Sequence, residues 1–159
     1  DRGPIELIVR RPDHGERELL DAAMLDTEVG LVGDSWLWKH GENRKPLAQL
    51  TLMNVRAAGL FAVDPERRAL AGDQLYVDLD LSGENLPPGT RLSVGDAVIE
   101  VTALPHTGCG KFIDRFGVDA QKFCNSALGR SLNLRGINAI VISGGEVRLG
   151  DTVTKLVVG

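Results

Sequence analysis

Short stretches in which apolar residues recur at every second position dominate the chain and predict a protein built mainly from β-strands. The alternation is cleanest in residues 75–81, the pattern of a strand with one buried face. Other stretches are rich in β-branched residues and end at glycine, proline or asparagine, which predicts further strands. The further predicted strands are residues 5–10, 49–53, 91–94, 96–104, 138–143, 146–149 and 152–156.

Two similar corners suggest how these strands are arranged. In each, a short strand meets a Gly-Asp pair, at Gly95-Asp96 and again at Gly150-Asp151, and a second strand leaves in the same apolar phase. Tight corners of this kind are needed in a small closed or partly closed sheet. The strands do not alternate with long helices, which argues against a doubly wound parallel sheet. We therefore predict an α+β, predominantly β protein, a β-barrel with a few short helices.

Helical signals are few and short. Asn54 is placed to cap a helix that runs through Ala62, and Asp64-Pro65-Glu66 is a strong start for a helix that ends near Gly72. Residues 118–128 carry apolar residues on one helical face, with Gly129 as the expected C′ residue. Cys124 falls on that face and is expected in the core. Residues 16–25 fit a strand or a short helix equally well.

Composition and charge narrow the function classes. The 159 residues carry a net charge of −4, which argues against a nucleic-acid partner. No apolar run is long enough to span a membrane, and two cysteines in a chain of this size favour the reducing cytoplasm. The length fits one domain over residues 1–159. Residues 106–135 hold five basic and two acidic side chains, a net +3, against 13 basic and 20 acidic elsewhere. On charge alone, this cationic segment fits a small anionic ligand and a solvated helix face with spare arginines equally well.

The most informative stretch is Pro105-His106-Thr107-Gly108-Cys109-Gly110-Lys111-Phe112. It directly follows a predicted strand, which Pro105 should end because proline cannot donate to a ladder. Cys109 has glycine on each side, and His106 and Lys111 lie close enough in sequence to favour its thiolate, the form that attacks electrophiles and binds metals. A thiol in a glycine loop at a strand end is an unusual place for a core residue. Cys109 is therefore the candidate functional residue, with His106 beside it.

Three other chemistries fit the sequence less well. A phosphate-binding loop is excluded, because Pro105 stands where its first glycine is required and Phe112 where its Ser or Thr is required. A zinc site would have to combine His40, His106, Cys109 and Cys124, without any CxxC or HxxxH pair. A cysteine hydrolase needs a base and a group that orients the base; His106 can be the base, and nothing in the sequence identifies the orienting group.

The order of several short motifs resembles the MOSC domain, named for the C-terminal region of molybdenum-cofactor sulfurases. The motifs are Gly33-Asp34, then Gly83-Glu84-Asn85-Leu86, then the strand pair around Val94-Gly95-Asp96, and then a single cysteine, Cys109, just past the second strand. The resemblance covers roughly residues 5–156. Many relatives have a Lys-Pro-Cys context where this chain has His106-Thr107-Gly108-Cys109, and larger members carry an N-terminal barrel or a fused sulfurase.

The resemblance implies a β-barrel with an essential cysteine, here Cys109. Family members are proposed to carry sulfur as a cysteine persulfide, received from pyridoxal-phosphate-dependent sulfurases, for the assembly of metal–sulfur cofactors. Related proteins instead hold the molybdenum cofactor, with the cysteine on the metal, and reduce N-hydroxylated compounds. The implied partner is thus a cysteine desulfurase, a sulfurase or another cofactor-assembly protein.

Three functional hypotheses follow, in this order. The first is a sulfur carrier whose Cys109 accepts and transfers sulfur; the second is a molybdenum-cofactor enzyme with Cys109 as the metal ligand; the third is a non-catalytic module that binds an anion or a partner. The anionic phosphate of a pterin cofactor would be neutralised by basic side chains, and other side chains would line its binding site. The candidate cofactor-binding residues are Lys111, Arg115, Arg130, Arg135, Trp36, His40, Glu84 and Asn85.

Overall fold

A computed structural model of the protein describes residues 1–107 and 110–156. Within them, seven strands form a closed barrel in which every neighbouring pair is antiparallel except Leu50–Asn54 and Leu75–Val77, which run parallel. In order around the barrel they are β1 (Arg2–Arg10), β6 (Leu75–Val77), β5 (Leu50–Asn54), β9 (Ile137–Ser143), β8 (Ala97–Val101), β7 (Arg91–Val94) and β11 (Thr152–Lys155), which pairs back with β1. The prediction of a predominantly β barrel with a few short helices is confirmed.

The remaining strands of the described residues are not part of the closed barrel. The ambiguous residues 16–25 contain two short strands: β2 (Glu18–Leu19), which pairs with β1, and most of β3 (Ala22–Asp26). β3 lies between β4 (Gly30–Leu31) and β10 (Gly145–Arg148) in a small second sheet. The two Gly-Asp corners lie side by side. Their closeness is shown by Gly95, where an added Cβ would fall 2.6 Å from the Asp151 carboxylate.

Short helices cover the barrel. The α-helices are α1 (Val55–Phe61), α2 (Gly110–Phe116), α3 (Val118–Asn125) and α4 (Ala127–Ser131), and the 3₁₀ helices are Ser35–Leu37, Gly41–Asn43, Pro46–Ala48 and Pro65–Ala71. Within the described residues no helix is long and apolar enough to cross a membrane.

Two predicted helix starts are confirmed by their caps. The Asn54 side chain accepts hydrogen bonds from the backbone N–H groups of Arg56 and Ala57, and α1 follows it. Asp64 accepts from the backbone of Glu66 at 3.0 Å, and the helix that it caps is 3₁₀ rather than α. Gly72 ends that helix in the left-handed region, with φ of +88°, which favours glycine because it has no Cβ.

Two predicted elements are wrong in extent. Residues 118–128 do not form one helix, because the Ser126 hydroxyl accepts from the Gly129 backbone at 3.0 Å and caps a separate helix, α4. Gly129 therefore lies inside α4, where a Cβ would fall 2.1 Å from the Phe123 carbonyl oxygen. The predicted strand 75–81 ends at Val77, and Asp80 instead accepts from the Ser82 backbone at 2.9 Å in the following turn.

Near its carboxyl end, strand β1 is buried on both faces. Ile8 of β1 belongs to the cluster inside the barrel, whereas Val9 belongs to a second cluster between the barrel wall, α1 and the helix Pro65–Ala71. Consecutive residues of a strand point to opposite faces, so the carboxyl end of β1 is covered on both sides. The second cluster holds the helix Pro65–Ala71 against the barrel, and the candidate site is built on the end of this helix.

Candidate functional site

Four arginines converge on the carboxyl end of the 3₁₀ helix Pro65–Ala71. The last carbonyl groups of a helix have no partners within it, and this end carries partial negative charge. Each of four consecutive carbonyl oxygens accepts a hydrogen bond from a different arginine. The pairs are Ala69 with Arg17 Nε (3.2 Å), Leu70 with Arg115 Nη1 (2.9 Å), Ala71 with Arg135 Nη2 (2.7 Å) and Gly72 with Arg11 Nη1 (3.0 Å). We call Arg11, Arg17, Arg115 and Arg135 the arginine cluster.

Asp73, the next residue, is a buried carboxylate with two partners. One oxygen accepts a hydrogen bond from Arg135 Nη1, and the other lies 2.7 Å from His106 Nε2. Burial alone raises the pKa of a carboxyl group, but the nearby Arg135 and His106 outweigh burial and hold the pKa of Asp73 well below its usual range. Asp73 is therefore ionised at neutral pH, and Arg135 balances its charge.

His106 is fixed by this carboxylate in one tautomer. Its side chain is 18% exposed, and burial, together with the nearby Arg135 and Arg11, lowers the pKa of the imidazole although Asp73 raises it. The imidazole is therefore neutral at pH 7. Because a carboxylate only accepts hydrogen bonds, Nε2 must carry the proton and donate a hydrogen bond to Asp73, so Nδ1 is the unprotonated nitrogen. The arrangement makes Nδ1 a base.

A small cavity with a cationic wall lies beside this pair. It has a volume of about 140 Å³, and its lining residues include the whole arginine cluster, Lys39, Lys111 and His106. We call it the cationic pocket. Crowding of like charges is evident, because burial and then the neighbouring Arg115 and Arg11 lower the pKa of Arg17. Burial and then Lys111 likewise lower the pKa of Lys39. Such a field concentrates small anions.

A larger cavity of about 340 Å³ shares His106 and Arg135 with the cationic pocket. Thr107 lines this larger cavity, while Lys111 lines the cationic pocket. Cys109, the central residue of the sequence hypothesis, lies outside the described residues. In sequence it falls between Thr107 and Lys111.

The structure brings some of the predicted site residues together and leaves others apart. Lys111, Arg115 and Arg135 line the cationic pocket, and the exposed Arg130 lines the larger cavity instead. Trp36, His40, Glu84 and Asn85 line neither cavity. The Trp36 ring lies under the Arg44 guanidinium at 4.7 Å, and its Nε1 donates to the Lys45 carbonyl. The Asn85 amide donates to the Asp80 carbonyl and stabilises a turn.

Four residues of the site were missed by sequence reasoning: Arg11, Arg17, Lys39 and Asp73. Arg11 and Arg17 lie in the segment after β1, and Lys39 follows the two tryptophans, so none is near the cysteine loop in sequence. Asp73 carried a weak signal, because it stands between a helix-ending glycine and a buried strand, where a charge needs a partner. The sequence does not indicate which partner that is.

Cys124 is a core residue, as predicted. It is 2% exposed, and burial raises the pKa of its thiol to about 11. We therefore expect Cys124 to resist a water-soluble alkylating reagent at pH 7 in the native protein and to react in urea, as peptide mass spectrometry would measure. Alkylation of native and unfolded protein at similar rates would contradict its burial.

The described part of the chain assembles no zinc site. Among residues 1–107 and 110–156 no three histidine, cysteine, aspartate or glutamate side chains lie together in a way that could hold a metal ion. His40, His106 and Cys124 are thus not grouped.

Comparison with known proteins identifies the fold. YiiM from Escherichia coli superposes with a TM-score of 0.66 over 100% of this chain and 71% of its own, at 24% sequence identity. The YuaD protein from Bacillus subtilis gives a TM-score of 0.66 over 96% of this chain and 94% of its own, at 18% identity. The barrel is a MOSC-like fold. The crystal structure of a hypothetical protein also shares this fold, with a TM-score of 0.68 and 25% identity over 99% of this chain and 69% of its own. No protein-family model and no curated protein sequence matches the chain.

Proposed function

We propose that the protein is a sulfur carrier in which Cys109 accepts a sulfur atom as a persulfide and passes it on in metal–sulfur or molybdenum cofactor chemistry. The observation that carries the proposal is the pair of Asp73 and His106, 2.7 Å apart. His106 precedes Cys109 by three residues, and Asp73 is the orienting group that a Cys–His arrangement requires. The MOSC-like fold is consistent with this function and adds no chemistry by itself.

In the proposed mechanism, His106 Nδ1 takes the proton of the Cys109 thiol. Asp73 stabilises the imidazolium that forms, and Lys111 and Arg115 favour the thiolate. The thiolate then attacks the outer sulfur of a persulfide on the donor, the S–S bond of the donor breaks, and its thiolate leaves with the electron pair. His106 returns the proton to that leaving thiolate, so no external oxidant is needed. A cysteine desulfurase or sulfurase is the proposed protein donor, and the reducing cytoplasm is the proposed location.

Incubation with a cysteine desulfurase and free cysteine should increase the intact mass of the protein by one sulfur atom. Cys109→Ser should show no increase, whereas Cys124→Ser should match the wild type because Cys124 is buried. His106→Gln should retain the fold and lower the rate of Cys109 alkylation at pH 7 by about ten-fold, since its thiol loses its base. A wild-type protein that gains no sulfur would contradict the proposal.

The second candidate is a molybdenum-cofactor enzyme acting on N-hydroxylated compounds, which is favoured by the two adjoining cavities. The larger, at about 340 Å³, falls in the usual range for small-molecule sites of about 300–1,000 Å³. The residues fit the group: Lys111 and Arg115 would hold its phosphate, Arg130 and Asn138 border the larger cavity, and Cys109 would be the metal ligand. The bound cofactor would supply a redox-active metal.

Metal analysis separates the two candidates. Protein purified from a host that makes the cofactor should contain molybdenum at about one per chain if the second candidate is right. Protein from that host without molybdenum or pterin, but with a transferable sulfur, would support the carrier. A Cys109 thiol that alkylates no faster than free cysteine at pH 7 would support the third reading, a module that binds an anion or a partner.

A further inference from the structure

The charges that line the cationic pocket are only partly balanced within the protein. Arg11 pairs with the buried Asp34 at 2.7 Å, and Arg135 pairs with Asp73. For the other four cations, Arg17, Lys39, Lys111 and Arg115, no carboxylate of the described residues lies within ion-pairing distance. One carboxylate, Asp13, is found among the described residues that line the pocket. Four cations against one carboxylate leave a net charge of +3, which suits a dianion.

Two of these four cations, Arg17 and Arg115, are held in place before any ligand arrives. Arg17 is held by the Ala69 carbonyl and Arg115 by the Leu70 carbonyl, and each guanidinium retains further N–H donors that these bonds do not use. The two guanidinium groups approach each other over Gly72. A Cβ on Gly72 would fall 3.0 Å from Arg17 Nη2 and 3.6 Å from Arg115 Nη1. Gly72 therefore leaves open the space between the two groups.

The size of the pocket limits the ligand. At about 140 Å³ it has room for roughly five water-sized groups, since water occupies about 30 Å³ per molecule in the liquid. A single tetrahedral oxyanion fits this space, whereas a pterin or a peptide does not. His106 lines the pocket and is three residues from Cys109 in sequence, and Lys111 is two residues from it.

We propose that the cationic pocket binds the SO3 group of thiosulfate, a small inorganic sulfur donor, and presents its outer sulfur to Cys109. This inference rests on the proposed carrier function and names a donor that is not a protein. Thiosulfate matches the pocket in charge and size, because it is a compact dianion. It also carries a transferable sulfur atom that Cys109 would accept.

The transfer balances without an oxidant or a reductant. The Cys109 thiolate attacks the outer sulfur of thiosulfate, a new S–S bond forms, and the sulfur–sulfur bond of thiosulfate breaks. The electron pair leaves with sulfite, and Cys109 becomes a persulfide. Negative charge on the SO3 group grows as sulfite departs, so Arg17, Lys39, Lys111 and Arg115 would stabilise the transition state more than the bound donor.

Equilibrium binding to the Cys109→Ser protein tests the site without the chemistry. Thiosulfate should bind in isothermal titration calorimetry, and sulfite and sulfate should compete with it. Adding Arg17→Gln or Lys39→Gln should each weaken thiosulfate binding about ten-fold, because a charge-assisted contact is lost. Lys39→Gln relieves repulsion from Lys111 and should not disturb folding. Lys122→Gln is the matched control, since Lys122 is exposed on α3, outside the pocket.

Two binding results would overturn the inference. One is an equal loss of affinity in Lys122→Gln and Lys39→Gln, which would indicate attraction to the overall charge rather than a site. The other is tighter binding of a phosphate monoester than of thiosulfate and sulfite, which would assign the pocket to the phosphate of a larger ligand.

Sulfur transfer then tests the donor. Wild-type protein with thiosulfate alone should gain one sulfur atom per chain and release one sulfite, and Lys39→Gln should do so about ten-fold more slowly at low thiosulfate. Loading by a cysteine desulfurase but not by thiosulfate would overturn thiosulfate as the donor and leave the carrier function standing. Loading by neither donor, with thiosulfate still bound by Cys109→Ser, would overturn the carrier function, and the donor assignment with it.

Discussion

Replacing Asp73 by Asn should lower the free energy of unfolding by about 3–5 kcal/mol, the usual cost of leaving a buried charge without its partner. Asp73 is fully buried, and the substitution keeps its shape while removing the charge that balances Arg135, itself 6% exposed. The measurement is urea unfolding at pH 7. Asp78→Asn is the matched control, because Asp78 pairs with Arg56, whose side chain is 80% exposed, and such surface pairs contribute at most about 1 kcal/mol.

The pH dependence of stability follows from the same residues. The pKa of Asp73 is lower in the folded protein, so its stabilisation is present above its unfolded pKa of about 3.9 and is lost as the pH falls further. The pKa of His106 is also lowered on folding, so the unfolded chain binds the proton more readily below about pH 6.5. Wild-type stability should therefore fall between pH 7 and pH 5, and less so in His106→Gln.

Equal stability losses in Asp73→Asn and Asp78→Asn at pH 7 would contradict this account of the buried charges.

Gly136→Ala should destabilise the protein by about 3 kcal/mol. A backbone conformation that is unfavourable for every residue except glycine costs about 1–3 kcal/mol, and a steric clash of the new Cβ adds to this cost. Gly136 has φ of +122°, and a Cβ there would lie 2.3 Å from the Leu52 carbonyl oxygen and 3.0 Å from His106 Cδ2. The backbone must therefore shift next to His106, and Cys109 alkylation at pH 7 should slow as well. Thermal unfolding and alkylation rates measure the two effects.

Gly89→Ala is the control for Gly136→Ala. Gly89 also has a positive φ, +92°, but a Cβ there would meet open space. Gly89→Ala should destabilise the protein only through the unfavourable backbone conformation, by about 1 kcal/mol, and the reactivity of Cys109 should not change. Equal effects at the two glycines would show that the close approach of Gly136 to β5 and His106 has no energetic consequence.

The barrel was predictable because its signals are local. Alternating apolar residues and the Gly-Asp corners predict the strands, and the caps at Asn54 and Asp64 each depend on residues within a few positions. The prediction of one helix over residues 118–128 was wrong because apolar periodicity continues through Ser126, while the Ser126 hydroxyl competes for the backbone. That competition is decided by Gly129, where only glycine fits against the Phe123 carbonyl.

The candidate site was predictable only in part because it is assembled by tertiary contacts. His106, Lys111 and Arg115 are close to Cys109 in sequence and were expected near it. Arg11 and Arg17 reach the site only because β1 lies beside β6 in the barrel, which brings the segment after β1 to the end of the helix Pro65–Ala71. Charge counting along the chain showed a basic region, but it could not show which cations already had a buried carboxylate.

The four consecutive carbonyl groups that hold the arginine cluster accept hydrogen bonds from arginines that are far apart in the sequence, from Arg11 to Arg135. A chain still being synthesised, or one that has misfolded, cannot gather these groups or bury Asp73 against His106. Its cysteine would behave as an ordinary, slow thiol. The reactivity proposed for Cys109 would thus be acquired only on completion of the native barrel, which would spare immature chains from unwanted sulfur exchange and oxidation.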